Sequence, residues 1–274
     1  MILMLGIMVR LACLVGIMFV ALPAGPAWAR SLDEILHAGT IRVGINPTLP
    51  PLALFDEKNE LVGFDVDLAQ EVASKLGVKL EIVQVSAPDR VPFVASGRVD
   101  VVLGGMTRDT LRAKVIDFSV PINSENYGII TREDKSFSKL SDLDNDNITL
   151  VQVRGGAVIS FIQKNLPKAH LILLDNYNDR DRALAQGRGD ASFDRIDSME
   201  YRLKIFPAIK WKIIPSPEFG VTYSGFGMEK GNYSLRDWLN IALYELHTSG
   251  MIETLWEKWF LRPMDTKVPV TPYF

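Results

Sequence analysis

Apolar residues along the chain fall into short runs that alternate between two periods. Residues 41–45, "IRVGI", form a compact apolar run suited to a buried strand, after a short helical stretch that stops at Gly39. Leu68, Val72 and Leu76 then recur at helical spacing, with Asp65 placed to cap the helix and Gly77 to end it. Residues 80–85 alternate as a strand. "DRVPFVASGRVDVVLGG" repeats the scheme, with a short helix closed by Gly97 and a buried strand over 99–103. The middle of the chain does it again. A strand over 148–153 ends in Arg154-Gly155-Gly156, and a helix over 157–165 is stopped by Pro167. A strand over 171–174, a helix over 179–185 closed by Gly187, and a short strand over 191–193 follow. Residues 198–205 read as helix and 211–214 as strand. The last segments, 235–247 and 251–260, are helical with a break at Gly250. Strands alternating with helices predict two α/β units, each built on a mainly parallel sheet.

Each unit has a glycine-rich strand end. In open α/β sheets, ligands sit at the carboxyl ends of the strands, so two such ends facing each other make a cleft. The first, "LGGMTRDTLR", places Thr107 and Arg112 just after Gly104-Gly105. Backbone amides, a hydroxyl and a guanidinium together can grip a carboxylate or a phosphate. Neither glycine pair has the G-x-G-x-x-G spacing of a dinucleotide site or the lysine of a P-loop.

The composition changes little in this picture. The 274 residues carry a formal charge of −3, with 23% charged and 47% hydrophobic residues, enough for two modest domains. Mild acidity argues against nucleic acid as a partner. Residues 1–22 are almost wholly apolar, with Arg10 their only charge, and Ala27-Trp28-Ala29 has the small-x-small form of a signal-peptidase site. We therefore expect a signal peptide over 1–29 and export to a bacterial periplasm. Cleavage would remove Cys13, the only cysteine, which excludes disulfides and thiol-ligated metals from the mature chain. No metal or cofactor pattern is present in the sequence.

Three stretches carry a family resemblance: "VGFDVDLAQEVASKLG", "SGRVDVVLGGMTRDTLRAKVIDFSVP" and the closing "MIETLWEKWF". The chain resembles the family-3 extracellular solute-binding proteins that feed amino acids to ABC importers. The resemblance implies a type II periplasmic-binding-protein fold, with two lobes, two hinge crossings and a ligand cleft between them. The first lobe would span 30–121 and 225–274, and the second 126–219. Carried over, Gly105 offers backbone, Thr107 a hydroxyl and amide, and Arg112 a bidentate fork to the ligand's α-carboxylate. In the second lobe, Gly155, Gly156 and Ala157 take the place of a hydroxyl-bearing loop, leaving backbone amides at a helix N-terminus. The amine-binding aspartate falls on Arg195 without a gap and on Asp194 with a one-residue gap; Asp194 is preferred.

Positions that often carry aromatic residues hold Leu49, Leu52 and Ala87 here. "PDRVP" resembles the motif of acidic-amino-acid binders, making Arg90 a second carboxylate ligand; the alternative is a surface arginine paired with Asp89. The expected ligand is a small amino acid, acidic by preference, or a dicarboxylate. The expected partner is an ABC permease, and the protein is expected to act as a monomer. A cyclohexadienyl-dehydratase-like enzyme on the same fold is the alternative. It would need a general acid in the cleft, and His37, His170 and His247 are not placed at strand ends.

Overall fold

The computed structural model describes residues 29–271. The apolar leader and Ala27-Trp28 lie outside the described residues. Two five-stranded sheets form the two lobes. The first runs in the order Lys79–Gln84, Thr40–Ile45, Val101–Val102, Gly227–Glu229, Ile116–Phe118. The second runs His170–Leu174, Thr149–Val153, Ala191–Arg195, Tyr127–Arg132, Trp211–Pro215.

In each sheet three strands pair in parallel, as expected from the intervening helices. Four of the five strands in each sheet run one way, so the sheets are mainly parallel in direction, while the one reversed strand makes each sheet mixed by pairing antiparallel with both its neighbours. The reason is the crossing of the chain. Tyr127–Arg132 is the first strand after the chain enters the second lobe, and Gly227–Glu229 is the strand that returns to the first; both run against their neighbours. At the crossing, Asn123–Glu125 pairs antiparallel with Thr222–Ser224, a two-stranded ladder joining the lobes.

The two S-G-x-V-D-like turns have a shared structural role. Asp100 is fully buried; its carboxylate accepts the Arg42 amide at 2.7 Å and pairs with Arg30 and Arg42. Asp190 does the same in the second lobe, accepting the Thr149 amide at 2.8 Å and pairing with Lys135 at 2.6 Å. Each aspartate thus ties the start of one strand to its neighbour by charge-assisted bonds.

Helix Phe64–Leu76 buries Leu68, Val72 and Leu76 on one face, as their spacing predicts. Its start differs from expectation. Gly63, not Asp65, is the N-cap residue. Its φ of 141° belongs to glycine, and a Cβ there would lie 2.2 Å from the Leu52 carbonyl oxygen. Asp65 already lies inside the helix, and its carboxylate instead accepts the Gly104 amide at 2.8 Å. Phe64 is fully buried and meets the rings of Trp256 and Phe260 edge-on at 5.5 and 6.2 Å. The C-terminal helices Tyr233–Thr248 and Met251–Phe260 therefore complete the core of the first lobe.

Phe64→Ala should cost about 3–5 kcal/mol of stability, the usual range for truncating a buried aromatic side chain. Equilibrium urea unfolding measures it; a loss below about 1 kcal/mol would contradict the packing described.

Candidate functional site

The strands Val101–Val102 and Thr149–Val153, one in each sheet, both run into glycine turns, and these ends meet between the lobes. Gly104 and Gly105 have φ of 92° and 58°, and Gly155 has 75°. A Cβ on Gly155 would lie 2.9 Å from the Ala87 carbonyl oxygen, and one on Gly105 would lie 2.9 Å from Arg195 Nη1. Glycine at these two places lets the lobes touch backbone to backbone and backbone to guanidinium. The cavity between them is walled by Leu49, Arg90, Gly105 and Thr107 on one side. Tyr127, Gln152, Gly156 and Ala157 face them, with Tyr177, Asp194 and Arg195 completing the wall. About 20 Å³ is open to the centre of a water-sized sphere. That is room for about one water molecule, so a larger solute enters only when the lobes part.

Arg90 is 2% exposed. Its Nε donates to the Ala87 carbonyl at 3.1 Å, and its Nη1 to the carbonyls of Gly104 and Gly105. Among the described residues no carboxylate lies within ion-pair distance of it. The alternative of a surface arginine paired with Asp89 does not hold: Asp89 accepts from the Ser86 hydroxyl, and Arg90 is buried. Burial lowers the Arg90 pKa, yet a guanidinium keeps its charge throughout the ordinary pH range.

Arg112 lies at the rim and not in the cavity wall. Its Nη1 donates to the Thr107 carbonyl and its Nη2 to the Gly155 carbonyl, both at 2.8 Å, while Asp109 lies 3.4 Å from its Nε. It therefore bridges the lobes. Gly156 and Ala157 sit at the N-terminus of helix Val158–Asn165, which no side chain caps, although the Gly156 amide already donates to the Val153 carbonyl at 3.0 Å. That end can accept an anion. Gly155 itself meets Arg112 and Arg90 through its carbonyl.

Asp194 and Arg195 both face the cavity, in different states. The Asp194 carboxylate accepts from Arg180 and Arg202 through one oxygen and from the Arg195 amide, at 2.8 Å, through the other. Arg180 and Arg202 also pair with Asp181, at 2.5 and 3.2 Å. All four side chains are buried, and both guanidiniums lie near the Tyr177 ring, 5.1 and 5.3 Å from its centroid. Burial alone would raise the Asp194 pKa; Arg202 and Arg180 overcome it and hold the carboxylate below its usual range. Arg195 donates to the Ser198 hydroxyl at 2.8 Å and lies 3.4 Å from Glu125. Glu125 in turn accepts from Thr222 at 2.9 Å.

The structure thus gathers Gly105, Thr107, Arg90, Gly156, Ala157 and Asp194 around one cavity, with Arg112 and Gly155 at its edge. Sequence reading missed Glu125, Tyr127, Gln152, Tyr177, Arg180 and Arg202. "NDRDR" at 178–182 has the look of a solvated helix face, and only the fold reveals that Arg180 and Asp181 are buried.

Behind Gly104, burial pushes Asp65 up to about 7, against the pull of Arg195 and the Gly104 amide. A carboxyl whose folded pKa is raised binds protons more tightly when folded. Its contribution is present below about pH 4 and is lost as pH rises through about 7. Asp65→Asn keeps an acceptor for the Gly104 amide and does not ionise. Relative to this variant, the native protein should lose on the order of 2–4 kcal/mol between pH 4 and pH 8. Urea melts across that range check it; a constant difference between the two proteins would contradict the buried, near-neutral carboxyl.

Comparison with known proteins gives a consistent picture. Residues 41–262 match the family described as bacterial extracellular solute-binding proteins, family 3. The chain is 27% identical over 255 residues to the L-cystine-binding protein TcyJ of Escherichia coli K12, covering 90% of this chain and 94% of that protein. It is also 27% identical over 256 residues to the cyclohexadienyl dehydratase of Pseudomonas aeruginosa, covering 91% and 92%. Among solved structures it is similar to the ancestral amino-acid-binding protein AncCDT-1, a precursor of cyclohexadienyl dehydratase. The TM-score is 0.77 and the identity 30%, over 84% of this chain and 99% of that one.

Proposed function

Because the chain belongs to family 3 of the bacterial extracellular solute-binding proteins, we propose that it captures a small carboxylate-bearing solute in the periplasm and delivers it to an ABC importer. Arg90 carries the reading of ligand class. A buried cation without a carboxylate partner, at the wall of the cavity, favours an anion there. On the first-lobe side the wall is Leu49, not an aromatic residue; the aromatic side chains at the cavity, Tyr127, Tyr177 and Phe193, all come from the second lobe. The ligand class is accordingly the acidic amino acids and the simple dicarboxylates.

In this reading one carboxylate lies between the Gly105–Thr107 segment and the turn Gly155-Gly156-Ala157, where the amides of Gly155 and Ala157 meet it, and Arg112 turns its fork from backbone carbonyls onto it. Arg90 meets the second carboxylate. The lobes, 30–121 with 225–274 and 126–219, part and close about the ladder at Asn123–Glu125 and Thr222–Ser224. A ligand that touches both lobes stabilises the closed form, because only a difference in affinity between the two states shifts their balance. The importer would then recognise the closed monomer.

The dehydratase relative keeps an enzymatic reading in view. Such chemistry needs a proton donor facing the solute. Among the described residues no histidine lines the cavity; His247 bonds to the Pro121 carbonyl at 3.0 Å, away from it. Asp194 is held ionised by two arginines. These observations favour capture without turnover. Incubating the protein with prephenate or arogenate separates the readings: an unchanged substrate is expected, and formation of an aromatic product would overturn it.

A thermal-shift panel of amino acids and dicarboxylates tests the ligand class. Stabilisation by at least one dianion is expected, whereas stabilisation by lysine or arginine alone would contradict it. With the best dianion, Arg112→Ala should weaken binding by roughly two to three orders of magnitude. Breaking a buried charge pair costs about 3–5 kcal/mol, and about 1.4 kcal/mol is tenfold. Calorimetry measures it, and near-normal affinity would remove Arg112 from the site.

A further inference from the structure

The charges around the cavity say more than that an anion is held. Resting on the reading that the cleft holds a carboxylate, we propose that its solute carries two negative groups and no ammonium. The class is a dicarboxylate or a 2-oxo dicarboxylate, not an amino acid.

An ammonium group needs an acceptor that is free and, in a buried site, a counter-charge. The carboxylates near the cavity are already engaged. Asp194 is closed by Arg180, Arg202 and the Arg195 amide. Asp181 completes that cage from behind. Glu125 faces Arg195 and accepts from Thr222. Asp65 accepts the Gly104 amide behind the strand end, and Asp197 accepts the Ser198 amide; neither lines the cavity. The cationic groups are placed differently. Arg90 and Arg195 both form part of the wall, and Arg90 has only backbone carbonyls as partners.

The position of Arg195 decides the matter. Its guanidinium crosses from the second lobe and packs on Gly105, close enough that a Cβ there would lie 2.9 Å from Nη1 and 3.2 Å from Cζ. This is the glycine expected to hold the α-carboxylate. A group bonded to the adjacent carbon of the solute meets a guanidinium there. A carbonyl or hydroxyl oxygen accepts from it; an ammonium is repelled and finds only neutral hydroxyls such as those of Thr107 and Tyr127. Ser198, through Nη2, and Glu125, through the same Nη1 that lies nearest Gly105, fix Arg195 in this pose, so the discrimination is built into the fold.

Isothermal titration calorimetry of the purified protein with 2-oxoglutarate, glutarate, L-glutamate and L-arginine tests the inference. The expected result is that 2-oxoglutarate or glutarate binds at least tenfold tighter than L-glutamate. Equal or tighter binding of L-glutamate overturns the exclusion of ammonium while leaving the anion reading standing. Binding of L-arginine alone, or of none of the four, overturns both. Arg195→Gln, which keeps a donor for Ser198, should shrink the preference for the amine-free ligand; an unchanged ratio in a folded variant would overturn the role given to Arg195. If that variant does not fold, the ratio measured on the native protein still decides.

Discussion

Arg90 is a cation held almost wholly out of water by backbone carbonyls alone, and it stands where the two lobes meet. Burying an ion without an opposite charge is expensive, whatever hydrogen bonds surround it. The surroundings show how the fold manages the cost. Four carbonyls, of Ala87, Gly104, Gly105 and, from the other lobe, Gly155, converge on the guanidinium, and the three glycines present theirs from left-handed backbone. Gly104 and Gly105 also end the strand, open the cavity and let Arg195 approach from the other lobe. Strand termination and lobe contact are therefore one constraint, and in the function proposed here anion recognition is its third side. In the proposed function, an anion entering between the lobes would relieve the cost and so link capture to closure.

The two lobes treat their charges differently. In the first, the buried arginine is left to carbonyls. In the second, Arg180 and Arg202 are matched with Asp181 and Asp194 in a compact cage over the Tyr177 ring. An ion-pair cage of this kind contributes a fixed geometry more than net stability. It holds the strand Ala191–Arg195 so that Arg195, not a free carboxylate, is presented to the opposite glycine. Removing one member would leave the others buried without partners.

Much of this was legible in the sequence, for reasons that can be named. Glycine stops at Gly39, Gly77 and Gly187 and helical spacing at Leu68, Val72 and Leu76 are local signals, and the elements they mark are present. The family motifs led to the fold and to both strand-end loops. Other features depend on contacts distant in sequence. Gly63 outranks Asp65 as the helix cap because of a close approach by Leu52, eleven residues earlier. The strands Tyr127–Arg132 and Gly227–Glu229 run against their neighbours because the chain crosses between lobes, which no periodicity records. Counting along "GRGDASFDRID" reaches Arg195 without a gap and Asp194 with one, and the preference for Asp194 rests on charge alone. Their roles follow only once Arg180, 14 residues away, and Arg202, eight residues away, are seen closing on Asp194.

The central claim is that one anion is gripped by both lobes at once, between the first lobe's glycine turn and the second lobe's helix N-terminus. Hydrogen exchange at single-residue resolution, with and without a saturating dicarboxylate, tests it most directly. The account predicts that the amides of Gly105 and Met106 on one lobe and of Gly155 and Ala157 on the other gain protection together, over the same ligand concentrations. Protection on one lobe only, or in neither segment while the ligand is bound, would contradict it.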